Sequence, residues 1–148
     1  MKTKLLIITL LLLSLVLSGC NQKNVEIDTE QLLEELQEQL PFADQLSPIK
    51  ENMIYHLYPI DSKNVMSITV LTSSGATAEE IAIIQTSDVE EAKKAIDQRI
   101  ETKRNDFANY LPKEVEKLKD PVIVTKGNYV ILCISDDSEK ARTIIEKY

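Results

Sequence analysis

Tryptophan is absent from this 148-residue chain, histidine occurs once, cysteine twice and glycine three times. A lone His56 with so few thiols excludes a zinc site of the usual His and Cys type, which needs three or four such ligands. Beyond residue 20 the only glycines are Gly75 and Gly127. No stretch therefore has the backbone freedom of a phosphate-cradling loop, and no G-x-S-x-G, H-E-x-x-H, Walker or dinucleotide fingerprint occurs. The acids of Asp136, Asp137 and Glu139 lack the alternating ligands and the glycine of a calcium loop, and read instead as helix capping. No catalytic residue, metal ligand or cofactor-binding residue can be named from these patterns. A pair of carboxylates is the one hydrolytic device that composition leaves open, because acids are plentiful.

Basic residues are also in deficit, 17 against 24 acids for a net charge of −7. A field of that sign disfavours nucleic acid as a partner.

Turning to what is present, the chain opens MKTKLLIITLLLLSLVLSGC, with Lys2 and Lys4 ahead of an apolar run from Leu5 to Leu17. This is a secretory signal layout, residues 1–19. As a helix the run would span about 20 Å, short of the roughly 30 Å of a bilayer core, so a permanent spanning helix is not expected. Leu17-Ser18-Gly19-Cys20 is similar to the lipobox of bacterial lipoproteins, in which a peptidase cuts before a cysteine whose sulfur accepts a diacylglycerol. On that resemblance Cys20 is the lipidation site, carrying fatty acyl chains such as palmitate, and anchors the protein to the extracytoplasmic face of the cell membrane. Two acyl chains suffice for stable anchoring. Cleavage removes two lysines and no acid, taking the net charge from −7 to −9. With Cys20 acylated, Cys133 has no partner for a disulfide. It sits within the apolar "VILCIS" and reads as a buried, inert thiol.

Residues 20–24 form a short tether, and 25–148 hold enough chain for one domain, with no internal linker or repeat. Asp28 and Gln31 look like a capping box, after which Leu32, Leu33, Leu36 and Leu40 recur at helical spacing up to Pro41. Glu30, Glu34 and Glu38 line the solvated side of that helix. A short helix is expected around Glu51 to Leu57, ended by Pro59. It carries His56 between Tyr55 and Tyr58, with no recognisable catalytic partner.

Met66, Ile68 and Val70 alternate with Ser67 and Thr69 as in a half-buried strand. "EIAIIQT" follows. Thr77 and Glu80 would suit a helix capping box, but shortness and β-branched content favour a strand. The connection between these two segments, with Ser73, Ser74, Gly75, Thr77 and Glu80, reads as a hairpin turn. A ligand or partner loop is the alternative, and these are the positions where mutation would test it.

Ser87 and Glu90 suggest a second capping box, opening a long helix whose face is Val89, Ala92, Ile96, Ile100, Phe107 and Leu111. Arg99, Lys103 and Arg104 lie late in it, as suits the helix dipole. Pro112 ends this helix and opens a short one to about Leu118. "PVIVTKGNYVILCIS" reads as a hairpin turning on Gly127-Asn128. Val122, Val124, Ile131 and Cys133 then share one face, and Ile123, Val130, Leu132 and Ile134 the other. The segment after Asp137 reads as a C-terminal helix on Ala141, Ile144, Ile145 and Tyr148.

The expected fold is α+β: a mainly antiparallel four-stranded sheet in the order strand, strand, helix, strand, strand, helix, with helices on one face and an extra N-terminal helix. The second apolar face of the last hairpin then needs the N-terminal helix, a protein partner or a homodimer to cover it.

The lipobox, the Leu/Glu-rich helix running into "LPFADQL", "LYPID", "SSGATAEEIAII" and "YLPKEVEKLKDPVIVTKGNYVILCISDD" together resemble a family of small bacterial lipoproteins catalogued only as a domain of unknown function, mostly in Gram-positive bacteria. The resemblance covers nearly the whole chain after Cys20, with "GATAEEIA" and "KGNYVILCISDD" carrying most of it. The family tends to have a glycine where this chain has Pro59. It implies location and fold but no catalytic residues. The expectation is a lipid-anchored envelope protein serving as a non-enzymatic binding or interaction module; an envelope-polymer hydrolase with a carboxylate pair is the alternative.

Overall fold

The structure is a computed structural model and describes residues 25–148. The expected signal segment 1–19, the acceptor Cys20 and the tether to residue 24 lie outside the described residues. No helix among the described residues is long and apolar enough to cross a membrane.

Helix α1, Thr29–Gln39, starts where Asp28 accepts from the Gln31 N–H. The short helix α2 is Glu51–Leu57. Helix α3, Val89–Ala108, is capped by Asp88 rather than Ser87: the Asp88 carboxylate accepts from the Glu91 N–H, while Ser87 is tied to Asn64. The chain leaves α3 at Asn109, and Pro112–Lys119 is a 3-10 helix. Helix α4, Ser138–Glu146, is capped by Asp137, as the clustered acids there predict.

The sheet has five strands, not four, in the order β1-β2-β3-β5-β4, antiparallel throughout. The additional strand β1 is only Ser47–Pro48, paired with Thr72 and Leu71 of β2, Val65–Thr72. Two residues that include a proline carry no alternation to find in a sequence. Strand β3 is Glu80–Thr86, so the Thr77–Glu80 helix start does not form. The hairpin is β4, Val122–Lys126, and β5, Tyr129–Ile134.

Helices cover both faces of the sheet: α1 covers the second face, one of the covers expected for it, and α4 lies there as well, which corrects the expectation that the other helices share one face. On one face Val70, Ala82, Ile84, Val130, Leu132 and Ile134 pack with Ile54 and Tyr58 from around α2 and with Ala92, Ala95, Ile96 and Ile100 of α3. On the other, Leu71, Ile81, Ile83, Val122, Ile131 and Cys133 meet Leu32 and Leu36 of α1 and Ala141, Ile144 and Ile145 of α4. The two apolar faces of β4 and β5 are thus both buried within the chain. The argument for a partner from an uncovered sheet face falls away.

Gly127 has φ +57, the left-handed region that the two-residue turn requires. A Cβ there would also lie 3.1 Å from the Val25 Cβ. Gly127→Ala is therefore expected to cost about 1–2 kcal/mol from backbone handedness alone, read as a lowered urea midpoint. An unchanged midpoint would show that the turn relaxes to another type.

Candidate functional site

Two adjacent acids stand where β3 begins, and both are fully buried. Side chains of neighbouring strand residues point to opposite faces, so Glu79 and Glu80 sit in two separate surroundings.

Glu80 enters the core between the sheet, Tyr58 and α3. Its Oε1 accepts from the Tyr58 hydroxyl and, at 3.0 Å, from Arg99 Nε. Its Oε2 accepts from Arg99 Nη2 at 2.6 Å and Thr72 Oγ1 at 3.2 Å, and lies 3.0 Å from Lys103 Nζ. The Arg99 pair is the bidentate fork that holds a carboxylate most strongly. Burial pushes the Glu80 carboxyl up, yet the Arg99 hydrogen bonds, the Lys103 and Arg99 charges and Tyr58 outweigh it and leave it below its ordinary value. Burial and the Glu80 charge hold the Tyr58 hydroxyl far above its usual range. Lys103 moves down: burial dominates over the pull of Glu80, and Arg99, which shares that carboxylate, repels it.

Glu79 anchors the chain after α1. It accepts from the backbone N–H groups of Ala43 and Asp44 at 3.0–3.2 Å, from Thr77 Oγ1 at 2.9 Å and from Lys117 Nζ at 2.9 Å. Burial again opposes ionisation, and these hydrogen bonds again win, so its carboxyl also lies below the ordinary value. Lys117 is shared with Glu114 at 3.3 Å and Asp136 at 3.1 Å. Against the pull of burial, these acids raise its pKa.

The β2–β3 loop closes above Glu80. Gly75 has φ +100 with nothing near the position of a Cβ, as an exposed turn requires. Ser73 Oγ donates to the Thr77 carbonyl at 2.6 Å, and Asp44 accepts from the Ser74 N–H and hydroxyl at 2.8 and 2.6 Å. Between this loop and α3 lies a cleft of about 250 Å³, lined by Ser73, Gly75 and Thr77 on one side and Arg99, Lys103 and Tyr110 on the other. Of the five loop positions that the sequence singled out, Ser73, Gly75 and Thr77 line the cleft. Ser74 is turned to Asp44, and Glu80 lies behind the cleft, bonded to three of its lining residues, Thr72, Arg99 and Lys103.

Tyr58, Glu79, Arg99, Lys103 and Lys117 were not found from sequence as parts of one arrangement. His56, beside Tyr58, is exposed and takes no part in it. Cys133 is buried, and burial pushes its thiol up to about 12, which keeps it protonated and inert.

Carboxylates able to exchange protons are scarce at the cleft. Both glutamates are saturated with donors, and Asp106 is the sole acid in its lining. A second hollow, about 510 Å³, is ringed by Glu116, Asp120, Asp136, Asp137 and Glu139. There Asp137 caps α4, Asp136 pairs with Lys117 and Glu116 with Lys119. Among the described residues no group of acids, histidines and cysteines is placed to hold a metal ion.

Compared with known families, residues 38–135, more than half of the chain, match the model described as "Domain of unknown function (DUF4358)". No curated protein and no solved structure matches the chain.

Proposed function

We propose that this chain, which belongs to the family of that domain of unknown function, is a lipid-anchored binding module of the cell envelope and carries no catalytic centre of its own. The observation that supports a non-enzymatic role is the state of the buried acids. An acid–base catalyst needs a carboxyl group with a proton to give or a lone pair to receive one. Glu79 and Glu80 have neither, because every available oxygen is committed to a cation or an N–H or O–H donor. A hydrolase working through a carboxylate pair draws less support: the cleft is lined by one acid alone, and in the acid-ringed hollow Asp136, Glu116 and Asp137 are committed to Lys117, Lys119 and the α4 N-terminus.

Lipid anchoring through Cys20 is supported by the lipobox. Val25 lies against Gly127 in the β4–β5 turn. That turn neighbours the end of β3, where the Thr86 N–H donates to the Asn128 carbonyl, and the β2–β3 loop stands at the other end of the same strand. Seven residues of β3 separate the two ends by about 23 Å.

Labelled palmitate is expected to enter the wild-type protein in cells and to be absent from Cys20→Ala. Equal labelling of the two would end the anchoring proposal. For the binding role, a photo-crosslinking residue placed at Tyr110 is expected to give a reproducible adduct in cells, and one placed at Asn128, at the Gly127 end, none. Equal adducts from both positions, or none from either, would count against the cleft as the binding face.

A further inference from the structure

We propose that the cleft between the β2–β3 loop and α3 takes a small zwitterion, a molecule of amino-acid size with a carboxylate and an ammonium a few bonds apart; this rests on the binding-module reading above.

The first argument is the charge arrangement. Behind the cleft one carboxylate, Glu80, faces two cations, Arg99 and Lys103. An ammonium has three N–H donors and a guanidinium five. Lys103 places donors on the Ala78 carbonyl and on Glu80, and Arg99 places Nε and Nη2 on Glu80. The floor therefore holds excess positive charge and has donor capacity left over, conditions that favour an incoming carboxylate.

At the mouth the sign reverses. Asp106 is exposed, lines the cleft and has no hydrogen-bond partner among the described residues, while its charge is felt at Lys103. Three residues further along the helix than Lys103, it stands on the same flank. A plain anion would meet Asp106 on entry, and a plain cation would meet Arg99 and Lys103 at the floor. A molecule with both charges satisfies each end.

Size and walls narrow the class. About 250 Å³ falls below the roughly 300–1,000 Å³ of drug-sized pockets, a size that suits a ligand as small as an amino acid. Phe107 and Tyr110 stand together at one wall with ring centroids 6.5 Å apart, and Tyr110 is 69% exposed. They offer an apolar surface to a short aliphatic side chain.

The test uses the full mature chain in detergent micelles, with alanine, propionate and ethylamine titrated separately and amide resonances followed by NMR. Alanine is expected to shift the Gly75, Thr77 and Tyr110 resonances with an affinity about ten-fold or more above either single-charge analogue, the worth of one charge-assisted hydrogen bond. Asp106→Asn, at an exposed position, should bring alanine down to the level of propionate while the remaining spectrum is unchanged. Equal binding of alanine and propionate would overturn the zwitterion inference in favour of an anion site, and leave the binding reading standing. Strongest binding by ethylamine would overturn it in favour of a cation site. No shift with any of the three would also overturn it, and the Tyr110 crosslink would then decide the binding reading separately.

Discussion

Replacing Glu80 with alanine is expected to destabilise the domain by on the order of 3–5 kcal/mol, because it leaves two buried cations without their counter-ion. That is a large part of the 5–15 kcal/mol typical of a whole domain, and the variant will be unfolded or close to it in a urea titration. The cause is not the loss of favourable contacts as such. Arg99 and Lys103 are 9% and 3% exposed, and their desolvation is offset only while the Glu80 carboxylate is present. Two further variants separate this account from simple loss of packing. Glu80→Gln preserves shape but not charge and should be nearly as damaging as alanine. A triple variant, Glu80→Leu with Arg99→Met and Lys103→Met, removes all three charges together and should recover most of the lost stability. If the triple variant is as unstable as Glu80→Ala, the network acts through its geometry and not through charge balance. Glu79→Gln should be milder, since Lys117 keeps Glu114 and Asp136.

The frame of the fold was legible because its signals are local. Asp28 and Asp137 cap helices whose apolar residues recur at helical spacing, and Gly127-Asn128 sits between two β-branched runs. The face assignment of the last hairpin also held: Val122, Ile131 and Cys133 are in one core, Val130, Leu132 and Ile134 in the other. What failed was global. The C-terminal helix α4 crosses to the face opposite α3, and that depends on contacts between residues about a hundred positions apart, such as Ala141 and Ile144 with Leu36 of α1 in one core.

The buried charges were missed for a different reason. Arg99 and Lys103 late in a helix are accounted for by the helix dipole, so nothing local asks for a partner. One signal was present. Ala92, Ile96, Arg99, Ile100, Lys103 and Phe107 fall at spacings of three and four, so the two cations belong to the buried stripe of α3. Cations on a core stripe require acids, and Glu79-Glu80 at the head of the all-apolar "IAII" are the acids equally out of place. Reading either anomaly alone gives a dipole or a loop. Joining them gives the ion-paired core behind the cleft, and with it the reason that "SSGATAEE" carries two carboxylates at all. The loop itself is a turn that borders a cleft, and Ser74 within it is structural, pinned by Asp44.

Acid should unfold this protein through those same two glutamates. In the folded chain both carboxyl groups are held below their ordinary value of 4.5, and on unfolding they return to it. Below about pH 4.5 the unfolded chain therefore binds more protons, so stability falls as pH falls. The contribution is fully present above that value and is lost as pH drops through the depressed folded-state values. Urea midpoints are expected to be flat between about pH 7 and 5 and to decline steeply below 4.5. Glu35 and Asp44, held down by Lys147 and Ser74, add to the same slope, but they lie at the surface. Salt separates the two contributions, because exposed pairs are screened and buried ones much less. Raising ionic strength should thus leave most of the decline in place, whereas Glu79→Gln should lessen it at either salt concentration and leave the Glu80 part. A decline abolished by salt would assign acid sensitivity to the surface pairs instead. On the alkaline side the groups oppose each other. Lys117, raised by its acids, and Tyr58, raised by burial and Glu80, favour the folded state less as pH climbs past 10. Lys103, lowered by burial, acts at lower pH: between its depressed folded-state value and the ordinary 10.5 it favours the folded state more as its proton leaves. Stability should therefore rise slightly with pH below about 10.5 and fall above it, and Lys103→Met should remove the rise while leaving the fall in place.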